Sequence, residues 1–377
     1  MRILLTMPWG QRLGGAEEQL QVMLEGADEI EHELEFVFFE NGPWPAELSD
    51  AGFRVEVIDA GRVRQVHRWL PTVVRLAGIF HRRKPDLIVN WAAKTHLYGS
   101  PAAMLAGMTD RVMWWQQAVP TRDWIDRCAT LLPAIAIGCN SKTGAEAQMR
   151  LWPARETFVW YAGARTPRSY SEPPPLQVPS GVPVVGLVGR LQPWKGQDRL
   201  LQAQAILRER GHDMHLVIVG GDSYGLSPEY AQSLPPLVSR LGLTDAVTMT
   251  GEVADAGPYI EQLDILVNAS DPEPFGIVVV EGLSRGVAIV GVASGGPGEY
   301  LDDGQTASLA SSGDPVALAD ALEPLLQSPA LRETIGRAGR ELFLREFTDT
   351  AMRRRWFGIL EEVVERRRGA VAPERAN

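Results

Sequence analysis

Two stretches of this sequence, at its start and near its middle, follow the same design. A short apolar run, MRILLTMP at residues 1–8 and PVVGLVG at residues 183–189, is followed by a loop with glycine and then by a helical pattern. Each stretch is typical of the first strand, loop and helix of a doubly wound α/β domain. The 377 residues are too many for one hydrophobic core and suit two.

The remaining apolar runs alternate with helical patterns in both halves. In the first half, strands are predicted at LEFVFFE, FRVEVID, DLIVNWA, RVMWWQ, AIAIGC and TFVWY, and in the second at MHLVIVGG, AVTMTG, DILVNAS and VAIVGVA. This alternation predicts two Rossmann-like domains that face each other across a cleft. Their ligands should lie at the carboxyl ends of the strands, so the loops that follow strands are the candidate sites.

Proline and charge patterns set the predicted boundaries. The proline-rich stretch at residues 169–181 excludes regular structure and predicts a linker between domains at residues 1–168 and 182–349. After these come an amphipathic helix at about residues 350–368 and a tail at residues 369–377.

Composition narrows the class of protein. An apolar fraction of 45% and a charged fraction of 22% are typical of a soluble globular protein, and a net charge of −10 argues against nucleic-acid binding. The first apolar run is too short for a signal peptide, and no later run reaches the ~18 residues of a membrane span. Cys128 and Cys139 could form at most one disulfide and have no other potential metal ligands near them in the sequence. Such cysteine usage suits a reduced compartment. A cytoplasmic location is therefore predicted.

Positive charge is concentrated in one segment. Residues 62–84 carry seven Lys and Arg residues and no Asp or Glu, with apolar and basic groups alternating at helical spacing. A surface helix with solvated arginines explains this pattern. A face for an anionic acceptor, or a weak peripheral contact with membrane headgroups, also explains it.

The loop GRLQPWKGQ at residues 189–197 follows a predicted buried strand and precedes a helix. It places Arg190 and Lys195 beside a helix N-terminus, and two cations at that position suit a diphosphate. An ordinary strand-to-helix loop with exposed cations is the alternative. In the first half, Gly14 and Gly15 precede a helix, so that backbone N–H groups could approach a bulky ligand, or the loop could simply cap the helix.

Two glutamates eight positions apart distinguish DPEPFGIVVVEGLSRG at residues 271–286. The prolines break the regular pattern, and a helix is predicted to begin near Gly276, where its first N–H groups lack partners. Glu273 in the loop and Glu281 on the helix could then bind the hydroxyl groups of one ligand. Alternatively, Glu273 caps the helix and Glu281 is solvated, although the apolar surroundings of Glu281 favour a partner.

These motifs resemble the retaining nucleotide-sugar glycosyltransferases of the GT-B fold, glycosyltransferase family 4. The resemblance rests on GRLQPWKG together with EPFGIVVVEGLSRGVAIVGVASGGPGEYLDDGQTASL, and it covers nearly the whole chain. It implies transfer of a hexose from a UDP- or GDP-sugar to an acceptor hydroxyl, with no cofactor besides this co-substrate. The acceptor could be a sugar, a lipid-linked molecule or a small molecule. The final helix, around Trp356, is expected to cross back onto the first domain.

The resemblance also implies roles for single residues. Arg190 and Lys195 neutralise the leaving diphosphate, and Glu273 binds the donor sugar; these three are the predicted catalytic residues. Glu281 is implied to bind the ribose. The backbone amides of four residues are implied to hold the sugar and phosphates: Phe275, Gly276, Ile277 and Val278. Gly14 and Gly15 are implied to let the first domain close over the donor. Glu252 and Val253 belong to the loop that is implied to lie near the base.

One position departs from the family pattern. Many members carry a histidine after the strand that corresponds to RVMWW, where this chain has Gln116 and Gln117. Gln117 is the better positional match, and a glutamine can form hydrogen bonds but cannot act as a general base at neutral pH. His96 is a further candidate for the cleft, although a lone histidine is more often structural.

The implied reaction proceeds with retention by attack on the same face, and the leaving phosphate helps to take the acceptor's proton. Without a strand-end Asp-x-Asp motif, no obligatory metal ion is expected. A GT-B epimerase or phosphorylase is an alternative, but histidines are few and Lys195 is the single lysine of the second domain. A dehydrogenase would need a Gly-x-Gly-x-x-Gly loop after its first strand, and neither half of the chain has one. A sugar-nucleotide sensor without activity would fit the missing histidine.

Overall fold

The computed structural model describes residues 1–12, 14–26, 31–61, 63–121, 123–167, 176, 178–222 and 225–371. The chain divides into two compact units, one formed by Met1–Tyr161 with the segment that begins at Met352, the other by Ala162–Ala351. Most of the predicted linker at 169–181, as well as Arg62, lies outside the described residues.

The first unit is built on a parallel sheet of seven strands. The strand order is β3-β2-β1-β4-β5-β6-β7, and every pair is parallel. Because both faces of the sheet are covered, its inner strands are almost continuously apolar. The strands are β1 (Arg2–Met7), β2 (Glu33–Phe38), β3 (Arg54–Val57), β4 (Leu87–Asn90), β5 (Val112–Gln116), β6 (Ala136–Cys139) and β7 (Thr157–Val159).

Helices connect these strands in alternation. Their bounds are α1 (Gly15–Leu24), α2 (Pro43–Asp50), α3 (Val66–Arg83), α4 (Ala93–Ala106), α5 (Trp124–Leu131) and α6 (Lys142–Met149). The last helix of the chain, α14 (Asp349–Val371), also packs on this unit. Trp356 of α14 is fully buried with its ring centroid 6.3 Å from that of Trp91, and Trp160 Nε1 donates to the Met352 carbonyl at 3.2 Å. The predicted return of the final helix to the first domain is confirmed.

The second unit contains a parallel sheet of six strands in the order β10-β9-β8-β11-β12-β13. Its strands are β8 (Val184–Val188), β9 (His215–Val219), β10 (Val247–Gly251), β11 (Ile265–Asn268), β12 (Ala288–Val292) and β13 (Ser308–Ala310). Its helices are α7 (Gln197–Glu209), α8 (Pro228–Arg240), α9 (Gly257–Ile260), α10 (Ile277–Arg285), α11 (Pro297–Tyr300), α12 (Pro315–Gln327) and α13 (Pro329–Glu346). Two Rossmann-like α/β units are thus confirmed. The edge strand β13 was not predicted, because three residues are too short for a recognisable pattern.

The strand order decides where ligands can bind. Strand β8 lies between β9 and β11. From β8 the chain adds β9 and β10 on one side and then returns to add β11 on the other side, so the β8–β11 pair is a topological switch point. At such a point the loops after the two strands separate and leave a crevice at their carboxyl ends. The loop after β8 carries Arg190 and Lys195, and the loop after β11 carries Glu273.

Candidate functional site

Close backbone contacts join the loops at the carboxyl edge of the second sheet. Gly189 N–H donates to the Val219 carbonyl at 2.9 Å, and Gly220 N–H donates to the Gly251 carbonyl at 3.0 Å. A Cβ atom on Gly220, whose φ is +135°, would lie 2.2 Å from the Gly189 carbonyl oxygen. The loops after β8, β9 and β10 therefore approach one another at a distance that only glycine permits.

Lys195 lies in the loop after β8, on a 3-10 turn over Pro193–Lys195. The turn ends at Gly196 with φ +76°, and a Cβ there would come within 2.6 Å of the Ala269 carbonyl oxygen, so this loop packs tightly against the end of β11. Lys195 Nζ lies 2.8 Å from Glu273 Oε2 and 4.1 Å from the centroid of the Trp194 ring. The cation is thereby fixed at the switch point.

Glu273 is only 6% exposed and its carboxylate is surrounded by donors. Besides Lys195, Asn268 Nδ2 donates to Oε2 at 3.3 Å. Burial alone would raise the pKa of Glu273, but the charge and hydrogen bond of Lys195, with hydrogen bonds from Ser270 and Asn268, hold this pKa below its ordinary value. The carboxylate is therefore ionised at neutral pH and forms a preorganised ion pair with Lys195.

The backbone around Glu273 is held by the loop after β12. Glu273 forms a parallel bridge with Gly295, and Gly296 N–H donates to the Glu273 carbonyl at 2.8 Å. The helix α10 then begins after Gly276, whose φ is +87°, and no side chain caps it. The alternative in which Glu273 caps this helix is wrong, because its carboxylate is directed to Lys195 instead.

The N-terminus of α10 presents backbone amides beside this ion pair. Within the described residues, the N–H groups of Gly276, Ile277 and Val278 have no backbone acceptor. Phe275 is 3% exposed, so it contributes packing. Glu281 is half-buried in the second turn of α10. An uncapped helix start that carries partial positive charge suits an anion or the oxygen atoms of a sugar.

Arg190, Glu252 and Val253 occupy neighbouring loops of the same sheet edge. Arg190 is half-buried, its carbonyl accepts from Gln197 Nε2 at 2.9 Å, and its guanidinium forms no hydrogen bond or ion pair with any other residue that the structure describes. Glu252 follows β10 and packs on Gly221, where an added Cβ would meet the Glu252 backbone nitrogen at 3.1 Å. Val253 is half-buried beside it.

In the first unit, the candidate residues separate into two groups. Gly14 is the extended residue before α1 and Gly15 begins the helix, again without a side-chain cap. Gln117 lies just after β5, where its Nε2 donates to the Trp91 carbonyl and its own carbonyl accepts from Asn140 Nδ2 at 3.0 Å. These three residues therefore lie at carboxyl ends of strands in their own unit, as predicted for ligand-binding loops.

Gln116 and His96 are interior residues, and the prediction that they line an open site is corrected. Gln116 is buried at the end of β5, where its Nε2 donates to Asp126 Oδ1 at 3.1 Å. His96 is 0% exposed, stacks on Trp114 with ring centroids 5.3 Å apart, and shares a hydrogen bond of 3.1 Å with Asn90 Nδ2. Burial lowers the pKa of His96 to about 3, so it is neutral and structural.

Two contributors to the site were missed at the sequence level. Asn268 ends β11 and donates to Glu273, and Trp194 lies under the Lys195 ammonium group. The signal for Asn268 was its place at a strand end in LVNAS, five residues before Glu273. Among the residues that the structure describes, no group of three or more His, Cys, Asp or Glu side chains could hold a metal ion. None of the described helices combines the length and the apolar character needed to cross a membrane.

The architecture defines the class of this protein. Two parallel-sheet Rossmann-like units make up the GT-B fold, and the chain is similar to HepE of Anabaena in complex with UDP, with 24% identity and a TM-score of 0.81 over 96% of this chain and 100% of that one. At this identity the similarity establishes the fold.

The sequence comparisons agree with this fold. Residues 171–342 match the family described as glycosyl transferases group 1, so this part of the chain is a glycosyl transferases group 1 domain, and the resemblance to glycosyltransferases is confirmed. It is 26% identical to the lipopolysaccharide core biosynthesis glycosyltransferase LpsE of Rhizobium meliloti, over 80% of this chain and 85% of LpsE. It is 34% identical to the D-inositol 3-phosphate glycosyltransferase of Salinispora tropica over 46% of this chain, and spans only 37% of that relative.

Proposed function

We propose that this protein is a retaining hexosyltransferase that transfers a sugar from a UDP- or GDP-sugar to an acceptor hydroxyl without a metal ion. The observation that carries the proposal is the ion pair between Lys195 Nζ and Glu273 Oε2, 2.8 Å long, beside the uncapped start of α10. A cation for a diphosphate, an acceptor for sugar hydroxyls and the backbone amides of a helix start are three groups that suit a nucleotide-sugar donor.

Each donor group has a proposed partner. Lys195 and Arg190 stabilise the charge that develops on the diphosphate as the bond between the anomeric carbon and oxygen breaks. Glu273 accepts hydrogen bonds from the sugar, Glu281 from the ribose, and the amides from Phe275 to Val278 hold the sugar and phosphates. Glu252 and Val253 are proposed to contact the base. The acceptor oxygen then bonds to the anomeric carbon on the face that the phosphate leaves, and its proton passes to a phosphate oxygen.

The cations explain why no metal ion is needed in this proposal. A diphosphate leaving group requires positive charge, and two protein cations beside a helix N-terminus supply it without a divalent ion. Arg190 supports this role because its guanidinium is not engaged with any other described side chain. In this proposal, Gly14 and Gly15 bind the donor, and Gln117 contacts the reacting sugar.

The donor panel is the direct test. We expect the purified protein to release nucleoside diphosphate from at least one of UDP-glucose, UDP-galactose, UDP-N-acetylglucosamine and GDP-mannose, and the rate should be unchanged in excess EDTA. Sugar, inositol phosphate and lipid-linked acceptors should each be tried, because LpsE is named for lipopolysaccharide core biosynthesis and the other relative for D-inositol 3-phosphate. The anomeric configuration of the product, read by NMR, tests retention.

The competing candidate is a sensor that binds sugar nucleotides and transfers nothing. The observation that favours it is Gln117, a side chain that cannot take a proton at neutral pH, where many relatives carry histidine. Binding of a nucleotide sugar with no release across the donor panel would support the sensor. Release that depends on EDTA-removable metal would refute the metal-free mechanism but leave the transferase.

A weak contact between residues 62–84 and the inner face of a membrane is part of the proposal. On α3, Arg83 is buried and paired with Glu35 at 2.6 Å, and Arg75 lies 3.4 Å from Glu56. These cations are internally neutralised, whereas Arg82 and Lys84 are exposed. Leu70 and Val74 of the same helix are 54% and 56% exposed. Exposed apolar groups and exposed cations in the same segment suit an anionic lipid surface.

Liposome co-sedimentation tests this contact. We expect more protein to sediment with vesicles that contain anionic phosphatidylglycerol than with neutral vesicles, and less when Leu70→Ser and Val74→Ser are combined or when salt is raised. Leu344→Ser is the matched control, because Leu344 of α13 is also 54% exposed. Equal sedimentation of all three proteins would refute a membrane role for α3.

A further inference from the structure

Tyr300, at the end of α11, is fixed at both ends of its side chain. Its hydroxyl donates to the Phe275 carbonyl at 2.9 Å, the residue just before the start of α10. Its ring centroid lies 5.5 Å from that of Phe275 and 4.9 Å from that of Phe347. None of the roles assigned above uses this phenol, although it contacts the loop that carries the proposed donor-binding amides.

The hydroxyl of Tyr300 controls the direction of a neighbouring amide. The peptide bond between Phe275 and Gly276 is planar and trans, so its carbonyl and its N–H group point in opposite directions. While the Phe275 carbonyl accepts from Tyr300, the Gly276 N–H must therefore point away from Tyr300. Rotation of this peptide would break that hydrogen bond.

Gly276 does not hold this orientation by itself. Its φ of +87° lies in a region that glycine enters without steric cost. Because glycine has no side chain, nothing on Gly276 itself limits the orientation of the peptide. An added Cβ would lie 3.1 Å from Pro297 and 3.2 Å from the Tyr300 hydroxyl, which means that the backbone passes directly beside α11. The restraint on the Gly276 amide is thus supplied by α11.

We propose that Tyr300 is a positioning residue for the donor: its hydroxyl holds the peptide before Gly276 so that the amides of Gly276 and Ile277 face the β-phosphate and sugar of the bound nucleotide sugar. Tyr300 itself contacts neither. This role rests on the proposed function, because it presumes that those amides bind the donor. Preorganised amides matter most when charge develops on the diphosphate, so loss of the Tyr300 hydroxyl should slow the reaction.

Tyr300→Phe is the informative variant, since it removes the hydroxyl and keeps the ring between Phe275 and Phe347. We expect release of nucleoside diphosphate from the donor to slow about tenfold, less than the roughly 10²–10³-fold that follows deletion of a donor group, because the amides remain but are less well directed. Affinity for UDP should fall, whereas affinity for UMP, which lacks the β-phosphate, should not; GDP and GMP replace them if the donor is a GDP-sugar.

Tyr98→Phe provides the control for loss of a buried phenol hydroxyl. Tyr98 is fully buried in the first unit, where its hydroxyl lies 3.4 Å from the Ala60 carbonyl oxygen. It should change the thermal midpoint about as much as Tyr300→Phe and leave the rate unchanged. A wild-type rate in Tyr300→Phe, or equal losses of UDP and UMP affinity, would overturn the inference alone. A wild-type protein that releases nothing from any donor would overturn the proposed function and this inference with it.

Discussion

Replacing Lys195 by alanine is expected to lower the rate of nucleoside diphosphate release by roughly 10²–10³-fold, the range found when one preorganised electrostatic group is deleted. The loss has two sources. The variant removes the cation assigned to the diphosphate, and it leaves Glu273, which is 6% exposed, as a buried carboxylate without its 2.8 Å counterion. A negative charge next to the diphosphate then opposes binding as well as reaction.

Lys195→Arg and Lys142→Ala complete this experiment. Arginine keeps the charge but replaces a compact ammonium with a planar fork, so Lys195→Arg should recover part of the rate. Lys142 begins α6 in the first unit and is exposed, and its replacement should leave the rate unchanged. A folded Lys195→Ala protein with a wild-type rate would remove Lys195 from the mechanism.

The pH dependence of Lys195→Ala gives an independent reading. In the wild type, burial acts to raise the pKa of Glu273, but Lys195 together with the hydrogen bonds from Ser270 and Asn268 keeps this pKa below its ordinary 4.5. Without Lys195 the effect of burial dominates, and the pKa of Glu273 should rise. If the reaction needs the ionised carboxylate, the acid limb of the rate profile should move to higher pH in the variant. An unmoved limb would mean that Glu273 ionisation does not control the rate.

The fold could be predicted from the sequence because its determinants are local. Buried parallel strands are short apolar runs, and each is separated from the next by a helical pattern, so all twelve predicted strands exist. The short edge strand Ser308–Ala310 escaped because it has no pattern of its own. The return of the last helix to the first domain was predicted from the family resemblance and not from periodicity.

The candidate site could be predicted only in part, because its geometry depends on residues distant in sequence. Lys195 and Glu273 are 78 positions apart and meet since β8 and β11 are neighbours in the sheet. The sequence marked both loops but contained nothing that joined them into an ion pair. Asn268 was missed because an amide at a strand end has many possible uses.

Gln116, Gln117 and His96 illustrate a second limit. Gln116 is the last residue of β5 and Gln117 follows it, yet Gln116 is buried and donates to Asp126, whereas Gln117 Nε2 donates to the Trp91 carbonyl. Which of two adjacent glutamines faces inward depends on the packing of α5 and α6. The burial of His96 likewise follows from its stacking on Trp114, which no local pattern reveals.

Replacing Glu273 by glutamine is expected to slow release about 10²-fold and to separate stability from activity. Glutamine keeps the shape and can still accept from Asn268, but it leaves the Lys195 side chain, 16% exposed, without a counterion. Breaking a largely buried pair in this way should cost about 3 kcal/mol, or about 6–12 °C in the thermal midpoint of a unit of this size. The ionised Glu273 contributes stability above its ordinary pKa of 4.5, and this contribution disappears as the pH falls through its lower folded value.

The double variant Lys195→Ala with Glu273→Gln separates the two effects. Removing both partners leaves no uncompensated charge, so the thermal midpoint should recover toward that of the wild type. The rate should not recover, because the double variant has neither the cation for the diphosphate nor the carboxylate for the sugar. If the rate recovers with the midpoint, the pair serves the fold alone. If neither recovers, the ion pair is not what makes Glu273→Gln unstable. Recovery of stability without recovery of rate is the result that a donor site requires.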